Sequence, residues 1–356
     1  MAPSTTILTD ASRQLFTRAP DERFTSLPAL WQHCQKEKES SQDRWAIPEQ
    51  VHATPHDGSL QLSIDVEPFT MNDWSFGQLC KLAEVNRETI NRLTPETASR
   101  VLAETLPGQG KPLQILTRGP IVRAVHAASY TRLHNADLLA MVSEFATDFQ
   151  PPQKGIDQAT GMYCGEQDMF CFLIDPTGWA EIEGEAFAPG FFLWNSEVGK
   201  RSLGIKTFWF QAVCQNHIVW DATEVVDFSR KHTANVHEAL RDIRDIIARL
   251  VETRDARRDG FVAVMKKAMH QYVGDNSEEA LDVLQKRGIT RALAKEAVAI
   301  AETHGRFTIF ALVDALTRLS ARMNFAGDRA EADEKASALL RLVQHQPAPV
   351  AAAAVA

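Results

Sequence analysis

An aromatic and cationic segment, from Phe191 to Trp220, carries the side chains best suited to binding a single strand of nucleic acid. Its cations are Lys200, Arg201 and Lys206, and its large rings are Trp194, Phe208, Trp209, Phe210 and Trp220. Cations can contact phosphates while rings stack on bases, and each stacked base contributes about 1–3 kcal/mol. Alternate residues of a strand point to opposite faces, so a core position for Phe208 and Phe210 leaves Trp209 available for stacking. The alternative is that every one of these rings belongs to the core.

The charged residues are unevenly distributed along the chain. Residues 105–136 carry no acid and four cations, whereas residues 137–195 carry ten acids against a single lysine. The net charge of −8 argues against a dedicated nucleic-acid binder, but segregated charges allow an acidic chain to present one basic groove. We therefore predict phosphate contacts from Arg118, Arg123, Arg132, Lys200, Arg201 and Lys206. Scatter of these cations over several faces is the alternative.

Three alternating glutamates suggest a second chemistry. On a strand, Glu181, Glu183 and Glu185 would all point to the same face. Together with Asp168 they could hold a magnesium or calcium ion, because both ions prefer carboxylate oxygens. The alternative is a solvated acidic face.

Several enzyme classes have no support in the sequence. The run from Gly199 to Ser202 resembles the end of a phosphate-binding loop, but Trp194 stands where the first glycine is required. The chain has neither a G-x-S-x-G nucleophile turn nor a G-x-G-x-x-G dinucleotide motif. The spacing of Cys214, His217, His232 and His237 matches no standard zinc pattern. No cofactor is predicted, apart from the divalent ion that the glutamates would bind.

Hydrophobic periodicity predicts an α+β fold, with a central antiparallel β-sheet, flanking helices and an all-helical C-terminal part. Alternation around the Asp57-Gly58 turn indicates a hairpin, and residues 113–126 read as two strands followed by a helix that Asn135 caps. The predicted domains are a flexible arm at 1–47, the α+β core at 48–232, a helical region at 233–345 and a disordered tail at 346–356. A narrow apolar seam is expected to pack against one helix of this chain or of a second subunit, and it comprises Val236, Leu240, Ile243, Ile247 and Leu250.

Composition places the chain among ordinary globular proteins. A chain of 356 residues, of which 44% are hydrophobic, can build a core without disulfides or metals. Five scattered cysteines are typical of reduced, buried thiols. The absence of a secretion signal and of an apolar run of about 20 residues predicts a cytoplasmic protein that does not span a membrane.

Three ordered motifs resemble a family found on phages and plasmids and catalogued as domain of unknown function 932. They are the run from Arg118 to Val142, the NSEVG sequence at 195–199 and the FWFQAVCQN sequence at 208–216. The family pattern falls on Arg123, Ser129, Tyr130, Arg132, Asn135, Asn195, Glu197, Gly199 and Asn216. His217 departs from it, because glycine is expected there. The resemblance covers residues 74–250 and implies no established activity. A weaker fold-level similarity links the chain to single-strand annealing proteins of the Rad52 type.

These observations favour a non-catalytic, homo-oligomeric protein that binds single-stranded DNA in recombination or annealing for a phage or plasmid. Two other hypotheses stay open. One is a metal-dependent, nuclease-like enzyme that uses the acidic residues 166–185, with Lys200 near the reacting phosphate. The other is a regulator or anti-defence protein that binds a host protein.

Overall fold

The computed structural model of the protein describes residues 14–344, apart from 153–160, 213–215, 219–227, 304 and 306. Its strands are β1 (Glu22–Arg23), β2 (Ser41–Ala46), β3 (Val51–His56), β4 (Ser59–Ile64), β5 (Glu67–Met71), β6 (Leu113–Arg118), β7 (Ile121–Ala127), β8 (Met162–Cys164), β9 (Met169–Ile174), β10 (Ala180–Ile182), β11 (Glu185–Asn195), β12 (Leu203–Gln211), β13 (Asn216–Ile218) and β14 (Phe228–Arg230). Its helices are α1 (Leu27–Ser40), α2 (Asp73–Leu82), α3 (Arg87–Ile90), α4 (Pro95–Thr105), α5 (Asn135–Phe145), α6 (Ala239–Glu252), α7 (Arg254–His270), α8 (Ser277–Lys286), α9 (Arg291–Thr303), α10 (Ile309–Ser320), α11 (Ala326–Ser337) and α12 (Arg341–Gln344). The α+β class is confirmed, with two sheets in place of one.

Sheet 1 has six strands in the order β2-β6-β7-β5-β4-β3, and only β5 and β7 pair in parallel. The predicted hairpin forms β3 and β4, and the turn residues Asp57 and Gly58 have φ angles of +42° and +72°. One face of the sheet packs on α2, α4 and the short α3. Asn72 and Thr94 cap α2 and α4 by accepting hydrogen bonds from backbone amides three residues ahead. Helices therefore cover this face.

Sheet 2 has the strand order β1-β8-β9-β11-β12-β13, with β10 added to β11 and β14 added to β12. All of its strand pairs are antiparallel. Helices α1, α5 and α6 pack on one face, where Phe191 and Ile205 contribute to the core. Phe187 and Trp209 pack among the C-terminal helices, and Phe192 and Phe208 lie near α11. Because both faces are covered, every residue of β9 and β12 is buried.

The N-terminal region does not form a flexible arm over the residues that the structure describes. Helix α1 buries Leu30 and Cys34 in the core of sheet 2. Strand β2 pairs with β6 along its whole length, from Ser41 opposite Arg118 to Ala46 opposite Leu113. Residues 14–47 therefore contribute to both sheets, and the prediction of a loosely attached arm is wrong for this part.

The apolar seam finds its partner in the same chain. Val236, Ile243, Ile247 and Leu250 are buried in the core of sheet 2, together with α1 and α5. Phe261 of α7 packs on Phe187 of β11. The C-terminal helices therefore share cores with the sheet, and the prediction of a homo-oligomer receives no support from this seam. Among the residues described, no helix is both long and apolar enough to cross a membrane.

Candidate functional site

A buried carboxylate, Glu197, stands at the centre of a network that joins the two sheets. It lies in the turn between β11 and β12 and is 2% exposed. Its Oε2 accepts a hydrogen bond from Arg123 Nη1 at 2.8 Å, and its Oε1 accepts one from the backbone amide of Asn135 at 2.8 Å. Burial by itself would raise the pKa of Glu197, but the nearby His134 ring, Arg123 and the amide together lower that pKa to about 2. The carboxylate therefore stays ionised at neutral pH.

A β-bulge directs Arg123 towards this carboxylate. Leu116 pairs with Ala124 and Thr117 pairs with Val122, so Arg123 is the extra residue of β7. A bulge re-aims a side chain that the regular ladder would point elsewhere. The guanidinium also reaches α1, where Arg123 Nη2 lies 3.5 Å from Glu37 Oε2. Arg123 is thus an internal link between α1, sheet 1 and the 195–202 turn.

Residues 130–135 hold the 195–202 turn from a second side. The Tyr130 hydroxyl donates to the backbone carbonyls of Ser196 and Glu197, over 3.0 Å and 3.1 Å. Arg132 is buried, donates to the Glu197 carbonyl and pairs with Asp43 Oδ1 at 2.7 Å. Asn195 Nδ2 donates to the Leu133 carbonyl and to Asn135 Oδ1, both at 2.9 Å. These bonds fix the turn through its backbone carbonyls and through the Asn195 side chain.

Asn135 occupies a position one residue from the one predicted. Helix α5 begins at Asn135, and His134 is its N-cap, without a capping hydrogen bond from its side chain. The Asn135 side chain accepts from Asn195, and its backbone amide donates to Glu197. The N-terminus of α5 therefore binds the carboxylate of another segment, as helix N-termini commonly do with anions.

A stack of aromatic rings lies beside the turn. The Tyr130 and His126 rings are 3.8 Å apart and almost parallel, and the His232 ring lies 5.3 Å from Tyr130. Burial, with the Arg132 charge, lowers the pKa of His126 to about 3, and mainly burial lowers the pKa of His232 to about 4. Both imidazoles are therefore neutral at pH 7 and can accept or donate hydrogen bonds without carrying charge.

Gly199 makes the close contact between turn and stack possible. Its φ is +76°, and a Cβ there would lie 2.8 Å from His126 Cε1 and 3.3 Å from Tyr130 Cε2. We predict that Gly199→Ala lowers the free energy of unfolding by about 2–4 kcal/mol, from the positive φ and the clash together. Gly288 is the matched control, because its φ is +81° and its missing Cβ would contact nothing within 4 Å.

Urea unfolding of both variants at pH 7 checks this prediction. In Gly288→Ala only the backbone conformation is strained, so we expect the free energy of unfolding to fall by about 1–2 kcal/mol. Equal losses in the two variants would mean that the His126 ring moves away freely and that the contact at Gly199 is not tight.

An exposed tryptophan shares a sheet face with this stack. Ala46, Leu113 and Val125 face the helical core, so the adjacent Trp45, Gln114 and His126 point to the opposite face. These three residues form one cross-strand row, because Trp45 pairs with Gln114 and Gln114 with His126. Two strand spacings separate Trp45 from His126, which is about 10 Å. We call this row, together with Tyr130 and Gly199, the sheet 1 platform.

The platform combines one exposed aromatic ring with polar atoms that lack hydrogen-bond partners. Trp45 is 57% exposed, while Gln114 and His126 are buried. Gln114 Oε1 and His126 Nε2 have no hydrogen-bond partner among the described residues. Buried polar groups normally have partners, and a bound water would satisfy these two atoms.

Comparison with known proteins identifies the family of the chain. The model of a family described as Domain of unknown function (DUF932) matches residues 124–339. The chain belongs to the DUF932 family. No curated protein and no solved structure matches it, so the expected likeness to Rad52-type proteins finds no support.

The candidate site extends beyond the part of the DUF932 protein that matches the family model. Tyr130, Arg132, Asn135 and the 195–202 turn lie inside residues 124–339. Their partners Asp43 and Arg123 lie before that range, as do Glu37, Trp45 and Gln114. Sheet 1 and α1 thus complete a network whose turn belongs to the family region.

The six predicted phosphate-binding cations do not form one groove in this DUF932 protein. Arg123 and Arg132 are buried in the network, and Arg118 pairs with Glu37 of α1. On the opposite side of sheet 2, Arg201 pairs with Asp168 at 2.8 Å and with Glu331 at 2.7 Å. Lys206 is buried there and pairs with Glu334 of α11 at 2.6 Å. Scatter over several faces, the alternative considered above, describes these five residues.

Lys200 is an exposed residue of the 195–202 turn. It follows Gly199, lies 5.3 Å above the Trp74 ring and forms no ion pair with the residues described.

Trp209 does not keep its predicted exposure. It is 2% exposed and stacks on Phe261 at 4.0 Å, because helices cover both faces of sheet 2. Asn216 pairs with Gln211 in the ladder, and its side chain lies outside the described part.

The predicted carboxylate cluster does not assemble. Glu183 and Gly184 form the turn between β10 and β11, with φ angles of +52° and +86°, so the three glutamates do not lie on one strand. Glu183 binds His270 at 2.7 Å, and Glu185 accepts from Gln211 at 3.0 Å. Asp168 is buried between Arg18 and Arg201. The four acids therefore give no joint ligand set for a divalent ion.

Proposed function

We propose that this DUF932 protein binds single-stranded nucleic acid on the sheet 1 platform, without catalysing a reaction. The observation that carries the proposal is the exposed Trp45 ring in one row with the unsatisfied Gln114 and His126. A base can stack on the exposed indole. The Gln114 amide and the neutral His126 imidazole are buried, so they reach the edge of a base only when neighbouring side chains move aside. The aromatic ring for stacking is then Trp45 and not Trp209.

Three exposed lysines surround the platform. Lys111 lies two residues before β6, Lys200 follows Gly199, and Lys231 precedes His232. None of the three pairs with an acid in the part of the chain that is described. Each can neutralise one phosphate of a strand that crosses the sheet, which makes the affinity dependent on salt. They are a better set of phosphate contacts than the paired cations.

The buried network has a positioning role in this proposal. Arg123, Arg132 and Glu197 hold the 195–202 turn against sheet 1, so Lys200 and the Tyr130 ring keep fixed positions beside the row. Rigid placement lowers the ordering cost of binding. Arg123 and Arg132 therefore act on affinity through the turn, without touching phosphate.

Fluorescence anisotropy of labelled single-stranded DNA across a salt series tests the proposal. We expect Trp45→Ala to weaken binding by about 5- to 150-fold without changing the salt dependence, since a stacking contribution of about 1–3 kcal/mol is lost. Lys200→Ala should reduce the log-log salt slope by about 0.7, the value for one phosphate on a single strand.

Two matched variants control for nonspecific effects. Trp179 is exposed but lies in the turn before β10, and Lys286 is an exposed lysine that pairs with Asp282. Trp179→Ala and Lys286→Ala should bind as the wild type does. Absence of binding at low salt, or equal affinities of the Trp45→Ala and Trp179→Ala variants, would overturn the proposal. Labelled RNA and duplex DNA in the same series define the preferred strand.

A further inference from the structure

Three metal-binding side chains converge between α1 and β8, outside the platform. His33 and Glu37 lie one turn apart on α1, and Cys164 lies on β8. One ligand atom from each lies within 4.8 Å of the other two. The Cys34 side chain lies beside Cys164, and both cysteines belong to the same buried core. We propose that His33, Cys34, Glu37 and Cys164 bind one structural zinc ion.

The donor atoms match zinc in number and kind. Two thiolates, one imidazole and one carboxylate form a four-ligand set, whereas magnesium and calcium prefer oxygen ligands alone. Zinc bonds of about 2.0–2.3 Å in a tetrahedron separate neighbouring ligand atoms by about 3.3–3.8 Å. His33 Nε2 and Glu37 Oε2 are 3.8 Å apart. The ligand atoms of His33, Glu37 and Cys164 lie mutually within 4.8 Å, and the Cys34 side chain has to turn towards them for the site to close.

Neighbouring residues already orient the proposed ligands. Glu22 Oε2 lies 3.6 Å from His33 Nδ1, which leaves Nε2 for the metal. A carboxylate on the second ring nitrogen is the usual partner of a zinc-bound histidine. Arg118 binds Glu37 Oε1, so Oε2 is the oxygen that faces His33.

The surrounding charge also suits the ion. Two thiolates and one carboxylate around Zn²⁺ leave one net negative charge, and Arg118 and Arg123 both lie against Glu37. Their positive charge offsets the excess of the ligand set. All four zinc positions are then filled by protein, which is the arrangement of a structural and not a catalytic site. The ion would tie α1 to sheet 2.

Metal analysis of the full-length protein tests this inference. We expect one zinc per chain in protein purified without chelators, measured by mass spectrometry of the elements. Cobalt added to metal-free protein should give the near-ultraviolet thiolate charge-transfer absorption of a tetrahedral site. Cys164→Ser should lose both the zinc and the absorption. Cys80→Ser is the control, since Cys80 is a buried thiol in the core of sheet 1 and should leave zinc unchanged.

A second variant distinguishes an effect on metal binding from an effect on folding. His33→Ala changes a partly exposed side chain, and its circular dichroism should match the wild type while its zinc content falls below a tenth per chain. Wild-type protein that neither contains zinc nor takes it up from a zinc solution overturns the inference. Equal zinc in wild type and the Cys164→Ser variant does so as well. This test is independent of nucleic-acid binding.

Discussion

Replacing Glu197 with glutamine should lower the free energy of unfolding by about 3–5 kcal/mol. The substitution keeps the size of the side chain but removes the negative charge that Arg123 faces at 2.8 Å. Breaking a buried ion pair by neutralising one partner leaves the other charge uncompensated, and that is the costly case. Urea unfolding at pH 7 measures the loss.

The pH dependence of stability provides a second test of the same substitution. The folded-state pKa of Glu197 is about 2, below its ordinary value of 4.5, so the carboxylate contributes stability that is fully present above pH 4.5. That contribution, about 3 kcal/mol from the size of the pKa shift, is lost as the pH falls from 4.5 towards 2. The difference in stability between wild type and the Glu197→Gln variant should therefore shrink over this range.

Glu331→Gln is the control for this substitution. Glu331 also pairs with an arginine, Arg201, at 2.7 Å, but its side chain is 56% exposed. Exposed pairs contribute about 0–1 kcal/mol, so this variant should stay close to wild type. Similar losses in the two variants would mean that the Glu197 network does not stabilise the fold.

Local patterns in the sequence predicted much of sheet 1. The Asp57-Gly58 turn and the alternation around it identify β3 and β4, because a two-residue turn with positive φ fixes the register of a hairpin. The two strands at 113–126 and the helix after them were also predicted within one or two residues. These features depend on neighbours in sequence, which a pattern can show.

The charge network depends on distant partners, and the sequence alone could not show them. Arg123 and Arg132 stand in a stretch without acids, so they were interpreted as free cations. Their carboxylates come from Glu37, Asp43 and Glu197, which lie more than sixty residues away along the chain. The bulge that aims Arg123 inward is likewise a property of strand pairing.

The sequence pattern around Trp45, the exposed ring of the platform, did not indicate a binding surface. Trp45 sits in a polar stretch that was interpreted as an arm, and its exposure follows from the position of β2 at the edge of sheet 1. By contrast, the burial of β12 on both faces could have been predicted from its sequence. Its consecutive apolar and aromatic residues, from Phe208 to Phe210, are typical of a strand that is buried on both faces. The alternation of buried and exposed side chains, from which Trp209 was predicted to be available for stacking, does not hold for that strand.

Trp209→Ala should lower the free energy of unfolding by about 3–5 kcal/mol, the usual cost of removing a large buried ring. The indole packs face to face on Phe261 at 4.0 Å, with 6° between the rings, and alanine would leave a cavity between β12 and α7. Thermal and urea unfolding measure the effect. Trp209→Phe keeps most of the volume and should cost less than half as much.

The same residue separates the two possible sites for base stacking. Because Trp209 is a core residue, Trp209→Phe should bind single-stranded DNA as tightly as the wild type. Trp45→Ala should show the reverse behaviour, with a stability change below about 0.5 kcal/mol and weaker binding, since Trp45 is an exposed ring. A Trp209→Phe variant that folds normally but loses DNA affinity would place the stacking surface on sheet 2, where helices now cover both faces.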